Sequence, residues 1–180
     1  MTHVEIWSVG HGARALEEFL ETLRAAEIRT LADVRSQPGS RRHPQFGAQP
    51  LAALLADIGI AYEHLPALGG RREPRADSPH KALRVAAFRG YADHMTTEEF
   101  ARGYERLTSL ARESRTAFMC AETLWWRCHR RLIADRLTVD GWRVTHLFAP
   151  GKSEPHVLWD AARIDNGNIV YDAGTLPLPV

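Results

Sequence analysis

Residues 116–137 read TAFMCAETLWWRCHRRLIADRL. The first four residues form a short apolar run of the kind that makes a buried strand. Leu132, Ile133 and Leu137 then recur at the spacing of one helix face. The stretch therefore predicts a strand followed directly by a helix, and the apolar run at 142–148 predicts the next strand. Such a unit is typical of α/β folds with a parallel sheet.

Strand and helix patterns alternate on both sides of this unit. Apolar runs predict strands at residues 4–9, 30–34 and 60–65. Helical spacing follows at residues 16–23, 51–58 and 83–94. We expect Thr96 to cap a further helix through a capping box with Glu99.

The tail favours a different structure. Asn166-Gly167 separates two short β-like runs between residues 157 and 171, which predicts a β-hairpin. The whole pattern predicts the α/β class: a single three-layer domain over residues 1–180. Its central sheet is expected to be mostly parallel and flanked by helices, with the hairpin at the C-terminus.

Composition limits the class of protein. The chain has 180 residues, of which 44% are apolar and 25% charged, as in ordinary globular proteins. No run of about eighteen apolar residues occurs, and the N-terminus lacks a basic and then apolar leader, so we expect no membrane partner and no secretion. Two cysteines do not make a disulfide scaffold, and we predict a cytoplasmic protein with reduced thiols.

The basic residues are mostly arginine. Net charge is only +1, which argues against a polycationic coat for nucleic acids, yet 21 of the 23 basic residues are arginine. Genomic base composition is one explanation. The other is that arginine suits bidentate recognition of phosphate or carboxylate.

Reactive side chains are concentrated between residues 120 and 130. Two thiols, a carboxylate, an imidazole and guanidinium groups follow the end of a predicted strand, where ligands bind in open α/β folds. We predict Cys120, Glu122 and His129 as catalytic residues. Cys120 is alternatively a small buried hydrophobe, and Glu122 alternatively stabilises a helix N-terminus.

Further polar residues follow the other predicted strands. His11 ends the first strand, and Asp33 and Arg35 end the second, whose loop continues with Ser40 and Arg41. We predict that these five residues bind substrate and that the two arginines form an anion clamp. The alternative is a structural Asp33–Arg35 pair with solvated arginines on the surface.

Two more residues complete the predicted binding site. Arg130 is predicted to bind the anionic part of a substrate, and Tyr91 offers a stacking surface together with Trp125 and Trp126. The C-x7-C-H spacing of Cys120, Cys128 and His129 matches no common zinc pattern. We therefore predict no metal site and no cofactor.

Short motifs occur along the chain in a characteristic order. They are Ser8-Val9-Gly10-His11-Gly12, Asp33-Val34-Arg35, Leu68-Gly69-Gly70, Gly90-Tyr91, Cys120-Ala121-Glu122 and Cys128-His129-Arg130. Together they resemble the family called domain of unknown function 488, over essentially the whole chain. At Gly12 the family more often has serine or threonine, so no hydroxyl acts there. The resemblance implies little about activity.

A fainter similarity concerns layout. Residues 31–35, and a strand ending in Cys120 before an arginine-containing helix, are similar to rhodanese-like and cysteine-phosphatase folds. Those folds hold an anion in backbone amides beside a thiolate nucleophile. Here the loop after Cys120 has no glycine, and Arg127 comes one residue later than a C-x5-R loop requires. The similarity therefore predicts neither phosphatase nor sulfurtransferase activity.

These observations lead to three functional hypotheses. The first is an intracellular enzyme that acts on a phosphorylated, nucleotide-like or nucleic-acid substrate. Its arginines bind the anion and its Cys/Glu/His group carries the chemistry. The second is a non-catalytic module that binds nucleotides or nucleic acid. The third is a structural or redox-sensing protein, which requires Cys120 and Cys128 to be accessible and close together. All three leave the oligomeric state open.

Overall fold

The centre of the fold is a sheet. The computed structural model describes residues 4–39 and 41–174. Within them, six strands form this sheet: β1 (Glu5–Gly10), β2 (Thr30–Asp33), β3 (Ala61–His64), β4 (Thr116–Cys120), β5 (Arg143–Ala149) and β6 (Lys152–Pro155). They lie in the order β3-β2-β4-β1-β5-β6. Strands β1 to β5 are parallel, and β6 pairs antiparallel with β5. The predicted α/β class with a mostly parallel sheet is confirmed.

Helices cover both faces of this sheet. The described part of the chain has five α-helices: α1 (Leu16–Ala25), α2 (Ala48–Asp57), α3 (Ala86–His94), α4 (Glu98–Glu113) and α5 (Arg130–Val139). Apolar residues of α1 and α2 belong to one buried cluster, and those of α3, α4 and α5 belong to another. The fold therefore has three layers.

Strand β4 shows why the sheet is buried on both faces. Successive side chains of a strand point to opposite faces. Ala117 and Met119 accordingly join the cluster under α1 and α2, while Phe118 joins the cluster under α3, α4 and α5. All three are fully buried. Because β4 lies between two parallel neighbours, its sequence is continuously apolar rather than alternating.

The C-terminal hairpin forms where Asn166-Gly167 predicted it. Strands β7 (Ala162–Asp165) and β8 (Asn168–Tyr171) pair antiparallel, and both turn residues have positive φ, 49° at Asn166 and 81° at Gly167. Asn-Gly suits such a turn because its two central residues must adopt the left-handed conformation. The side chain of Tyr171 anchors the hairpin in the core.

One expectation from the sequence needs correction, and one strand was not predicted. The cap of α4 is Thr97, whose Oγ1 accepts a hydrogen bond from the Phe100 N–H, and Glu99 instead pairs with Arg72. The hydroxyl of Thr96 is already committed, since it donates to the Asp93 carbonyl at the end of α3. Strand β6 was not expected, because its sequence Lys-Ser-Glu-Pro lacks β-forming residues.

The helices of the described residues are short or amphipathic. None of them is long and apolar enough to span a membrane.

The hairpin turn provides a test of the fold. We expect Gly167→Ala to lower the free energy of unfolding by about 1–2 kcal/mol, because a Cβ is strained at a φ of 81°. Gly39→Ala is the matched control. A Cβ at Gly39 meets no atom within 4 Å, and its φ is not left-handed, so stability should stay equal or rise slightly. Chemical denaturation of both variants measures the difference, and equal stabilities would contradict the turn assignment.

Candidate functional site

The candidate site lies at the carboxyl ends of three adjacent strands. In the register of the sheet, Gly10 of β1 is level with Cys120 of β4, and Asp33 of β2 is level with Met119. The backbone continues this pairing beyond the strands, since the His11 N–H donates to the Cys120 carbonyl at 3.1 Å. Residues that follow three different strands therefore meet at one edge, as expected for an open α/β sheet.

Two thiols and an imidazole form the centre of this edge. The Nδ1 atom of His129 lies 3.9 Å from the Sγ of Cys120 and 3.6 Å from the Sγ of Cys128. These three atoms all lie within 4.8 Å of one another. A 3₁₀ turn at Trp125–Arg127 folds the chain back and brings Cys128 beside Cys120. Spacing along the sequence did not reveal this cluster, because the turn rather than a regular element closes it.

The hydrogen bond of His129 determines which nitrogen faces the sulfurs. Its Nε2 lies 3.0 Å from the carbonyl oxygen of Val34, and a carbonyl only accepts, so Nε2 carries the hydrogen. In the neutral ring, Nδ1 then presents a lone pair to the two thiols. Gly70 packs against this side of the ring, where a Cβ would lie 2.8 Å from Nδ1. The centroid of the Tyr91 ring lies 5.0 Å from the centroid of the His129 ring.

The two thiols have different proton affinities. The contact with Cys128 raises the pKa of the Cys120 thiol, and burial acts in the same direction. Burial also opposes ionisation of Cys128, but its contacts with Cys120 and with the imidazole of His129, together with the charge of Arg130, lower the pKa of Cys128 well below its usual value. The pair is therefore expected to lose one proton far more readily than two.

Arg130 closes the loop between β4 and α5 over the end of β1. Its side chain is 1% exposed, and its Nη1 donates to the Ser8 hydroxyl at 3.0 Å. Its Nη2 donates to the carbonyls of Glu122 and Thr123. Gly10 permits this approach, since a Cβ there would collide with the Glu122 carbonyl. The buried guanidinium thus holds the segment that carries Cys128.

The pair of Asp33 and Arg35 forms a second buried group beside the thiols. The Asp33 carboxylate is fully buried and accepts hydrogen bonds from Nε and Nη2 of Arg35 and from the Tyr62 hydroxyl. Arg35 also donates to the Phe46 carbonyl at 2.8 Å. Burial disfavours the charged form of Arg35, but the hydrogen bonds and charge of Asp33 outweigh it and raise the pKa of Arg35.

His11 connects this pair to β1. Its Nδ1 donates to the Gly12 carbonyl at 2.8 Å, so Nε2 is the acceptor and faces Nη1 of Arg35 at 3.3 Å. The ring stacks on Phe46 with 4.3 Å between centroids. Burial lowers the pKa of His11 to about 4, so the ring is neutral at physiological pH.

The buried group contains no polar side-chain atom of Arg41, Glu122 or Tyr91. Arg41 and Glu122 are exposed, and the Glu122 carboxylate accepts from the Leu124 N–H at 3.5 Å. Tyr91 is fully buried and its hydroxyl donates to the Leu68 carbonyl at 2.8 Å. Ser40 lies outside the described residues. The structure thus brings together Cys120, His129, Arg130, His11, Asp33 and Arg35.

A buried chain of hydrogen bonds behind the loop was not predicted. The Asp135 carboxylate accepts from Nε2 of His156 at 2.8 Å, and Nδ1 of His156 lies 2.9 Å from Nε2 of His146. Trp125 stacks on His146 at 4.1 Å. His146 lies within residues 142–148, the apolar run that the sequence predicts as a strand. His156 reaches it because β6 turns back along β5, and that strand had no sequence signal.

Comparison with known families agrees with the motif pattern. A family model described as "Domain of unknown function DUF488" matches residues 15–137. This chain belongs to the DUF488 family. The DUF488 match contains the thiols, His129, Arg130 and the Asp33–Arg35 pair, and it ends before His146.

Other comparisons add no closer relationship. No curated protein and no solved structure matches the chain significantly. The fainter similarity to rhodanese-like folds is not supported. The loop itself gives a physical reason: after Cys120 it presents carbonyl oxygens of Glu122 and Thr123 to a buried arginine, rather than a cradle of amides to an anion.

The buried arginine yields the first prediction for the site. We expect Arg130→Lys to lower the free energy of unfolding by about 2–3 kcal/mol, because an ammonium group cannot reach Ser8 and both carbonyls in the same geometry. Arg127→Lys, an exposed arginine of the same loop, should change it by less than about 0.5 kcal/mol. Denaturant titration measures both, and an equal loss would contradict the role of Arg130.

The buried histidine chain predicts how stability depends on pH. Burial, then the charges of His156 and Arg130, lower the pKa of His146 from 6.5 to about 2. Below pH 6.5 the unfolded chain therefore binds a proton at His146 that the folded chain does not bind. The free energy of unfolding should fall as the pH drops, by up to about 1.4 kcal/mol per pH unit from this group.

The variant His146→Gln isolates this contribution. Between about pH 6 and about pH 4, the free energy of unfolding should fall less steeply for this variant than for the wild type. The difference between the two slopes should be about 1 kcal/mol per pH unit. Denaturant midpoints across this range measure the slope. Parallel slopes in the two proteins would show that His146 takes up a proton in the folded state.

Proposed function

We propose that this DUF488 protein is an enzyme that acts on an anionic substrate at the carboxyl edge of β1, β2 and β4. The substrate class we favour is phosphorylated, nucleotide-like or nucleic acid. The observation that carries the proposal is the convergence of Cys120, Cys128 and His129 within 4.8 Å, directly beside Arg130. Polarisable thiols with a neighbouring imidazole are a reactive group rather than a packing solution.

The charge balance of the buried arginines supports an anionic partner. Arg35 is neutralised by Asp33, whereas the hydrogen bonds of Arg130 go to a hydroxyl and to carbonyls, which carry no net charge. A buried positive charge is costly unless a negative group compensates it. A thiolate, an anionic substrate, or both in turn, would compensate Arg130.

Exposed arginines around the edge support the same substrate class. The loops after β2, β3 and β4 include the exposed residues Arg41, Arg71 and Arg127, respectively. The first two loops touch, since the Ser36 hydroxyl donates to the Gly70 carbonyl at 2.9 Å. Guanidinium groups on neighbouring loops are suited to phosphate oxygens, which they bind in bidentate fashion.

Glu122 is the general acid or base in this proposal. Its exposed carboxylate follows Cys120 by two residues and is held by the N–H of Leu124. A carboxylate beside the reacting group can move a proton while the arginines position the substrate. Glu122 is not among the side chains that pack the core, so its loss should spare the fold.

A purely binding role is the second candidate. Trp126 is 39% exposed and lies in the same loop, which favours a stacking surface for a base. The hydroxyl and ring of Tyr91 are buried, so this residue supplies no stacking surface. Turnover, measured as below, distinguishes a binding module from an enzyme.

Ligand stabilisation tests the substrate class. Melting temperatures of the wild type are recorded with phosphate, nucleotides and short oligonucleotides. We expect one anionic class to raise the melting temperature, and Arg127→Ala to weaken that ligand about tenfold through loss of a charged contact. Arg29→Ala, an exposed arginine directly before β2 at the opposite edge, is the matched control and should bind like the wild type.

The outcomes separate the hypotheses. No shift with any anion, or the same weakening in Arg29→Ala, would rule out an anion site at this edge. With a stabilising ligand in hand, chromatography follows its conversion to product. Glu122→Gln should keep the melting shift and lose conversion. A wild type that binds the ligand and never converts it would be a binding module.

A further inference from the structure

The cluster of Cys120, Cys128 and His129 has the geometry of a metal-binding site. Zinc lies about 2.3 Å from a thiolate sulfur and about 2.0–2.1 Å from a histidine nitrogen, so a tetrahedral ion holds sulfur and nitrogen about 3.5 Å apart. The distances from Nδ1 of His129 to the two sulfurs are 3.6 and 3.9 Å. The three side chains need only small rotations to enclose an ion.

The outer contacts of the cluster fit the same interpretation. Histidine ligands usually donate their second ring N–H to a carbonyl or carboxylate, which fixes the ring for the metal. His129 does so through Nε2 and the Val34 carbonyl. Arg130 adds positive charge near both sulfurs.

We propose that Cys120, Cys128 and His129 bind a single divalent transition-metal ion of the zinc type, with the fourth position open. Two thiolates and one imidazole form a donor set that suits zinc, whereas calcium and magnesium prefer oxygen ligands. This inference revises the expectation from the sequence, in which the C-x7-C-H spacing predicted no metal. The 3₁₀ turn before Cys128 brings its thiol close to that of Cys120, as the short C-x2-C spacing brings two cysteines together in common zinc sites.

The fourth position is open because the described residues bring three ligand atoms together here and no fourth. Among the described residues, His11 faces Arg35 with its acceptor nitrogen and donates with the other, and His146 belongs to the chain that ends at Asp135. Cys120 is the more exposed of the two thiols. Three protein ligands with an open fourth position are typical of catalytic rather than structural zinc.

The charges also favour an anion in the fourth position. A divalent ion and two thiolates sum to zero, which leaves the buried charge of Arg130 without a counterion. A hydroxide or a substrate oxygen bound to the metal would supply it. This role of the open position rests on the proposed function, whereas metal binding itself does not.

The test uses the purified full-length protein. After chelator treatment under reducing conditions, it is titrated with Zn²⁺ in equilibrium dialysis and with Co²⁺ in the spectrophotometer. We expect one ion per chain, with the intense thiolate-to-cobalt absorption and the visible bands of tetrahedral cobalt. Cys120→Ser should bind more than about 100-fold more weakly and lose the thiolate absorption.

Controls keep folding and metal binding apart. Circular dichroism checks each variant, and Cys120→Ser is preferred to Cys128→Ser because Cys120 is only partly buried. His146→Gln replaces a buried histidine outside the cluster and should bind Co²⁺ like the wild type. A folded, reduced wild type that binds no stoichiometric metal would overturn the inference, as would unchanged cobalt spectra in Cys120→Ser.

Three further outcomes have clear meanings. A protein that binds no metal but readily forms a disulfide between Cys120 and Cys128 would have a redox pair instead of a metal site. Metal binding without stabilisation by any anion would remove the proposed function and keep this inference. Anion stabilisation in the metal-free protein, with no metal uptake, would do the reverse.

Discussion

The candidate site depends on the hydrogen bonds of one buried arginine. Arg130 begins α5, yet its guanidinium reaches across to Ser8 on β1 and to the carbonyls of Glu122 and Thr123. The missing side chain of Gly10 makes room for this approach. As a result the loop after β4 closes over the end of β1, and Cys128 returns to Cys120. Without that closure the thiol of Cys128 would not lie beside the thiol of Cys120.

The same arginine also affects the electrostatics around the two thiols. Among residues 4–39 and 41–174, no carboxylate pairs with its buried charge, while the neighbouring Arg35 is neutralised by Asp33. The region around the thiols therefore has an excess of positive charge, which favours a thiolate and attracts anions. The imidazole of His129, oriented by the Val34 carbonyl, presents its lone pair to that region. The proposed anion site and the proposed metal site both rest on this arrangement.

Much of the fold could be predicted because burial leaves a strong pattern. The apolar run before Cys120 and the helical spacing after it are consequences of a sheet covered on both faces. Asn166-Gly167 predicted the hairpin because few residues other than glycine and asparagine adopt positive φ at low cost. Strand β6 escaped prediction, since an edge strand with a charged and proline-containing sequence carries no such pattern. The sequence did not distinguish Thr97 from Thr96 as the cap of α4, because the two adjacent residues are both threonine.

The sequence by itself determined the α/β class, the order of the elements and the edge where polar residues gather, because hydrophobic periodicity and turn residues act over a few positions. Only the tertiary structure decided which of those residues meet. It buried Tyr91, left Glu122 and Arg41 at the surface, and joined Cys120, Cys128 and His129 through a 3₁₀ turn. It also formed the series of hydrogen bonds from Asp135 through His156 to His146, which depends on a strand that the sequence did not predict. These contacts depend on loop closure and on side-chain hydrogen bonds between distant segments, which local sequence patterns do not encode.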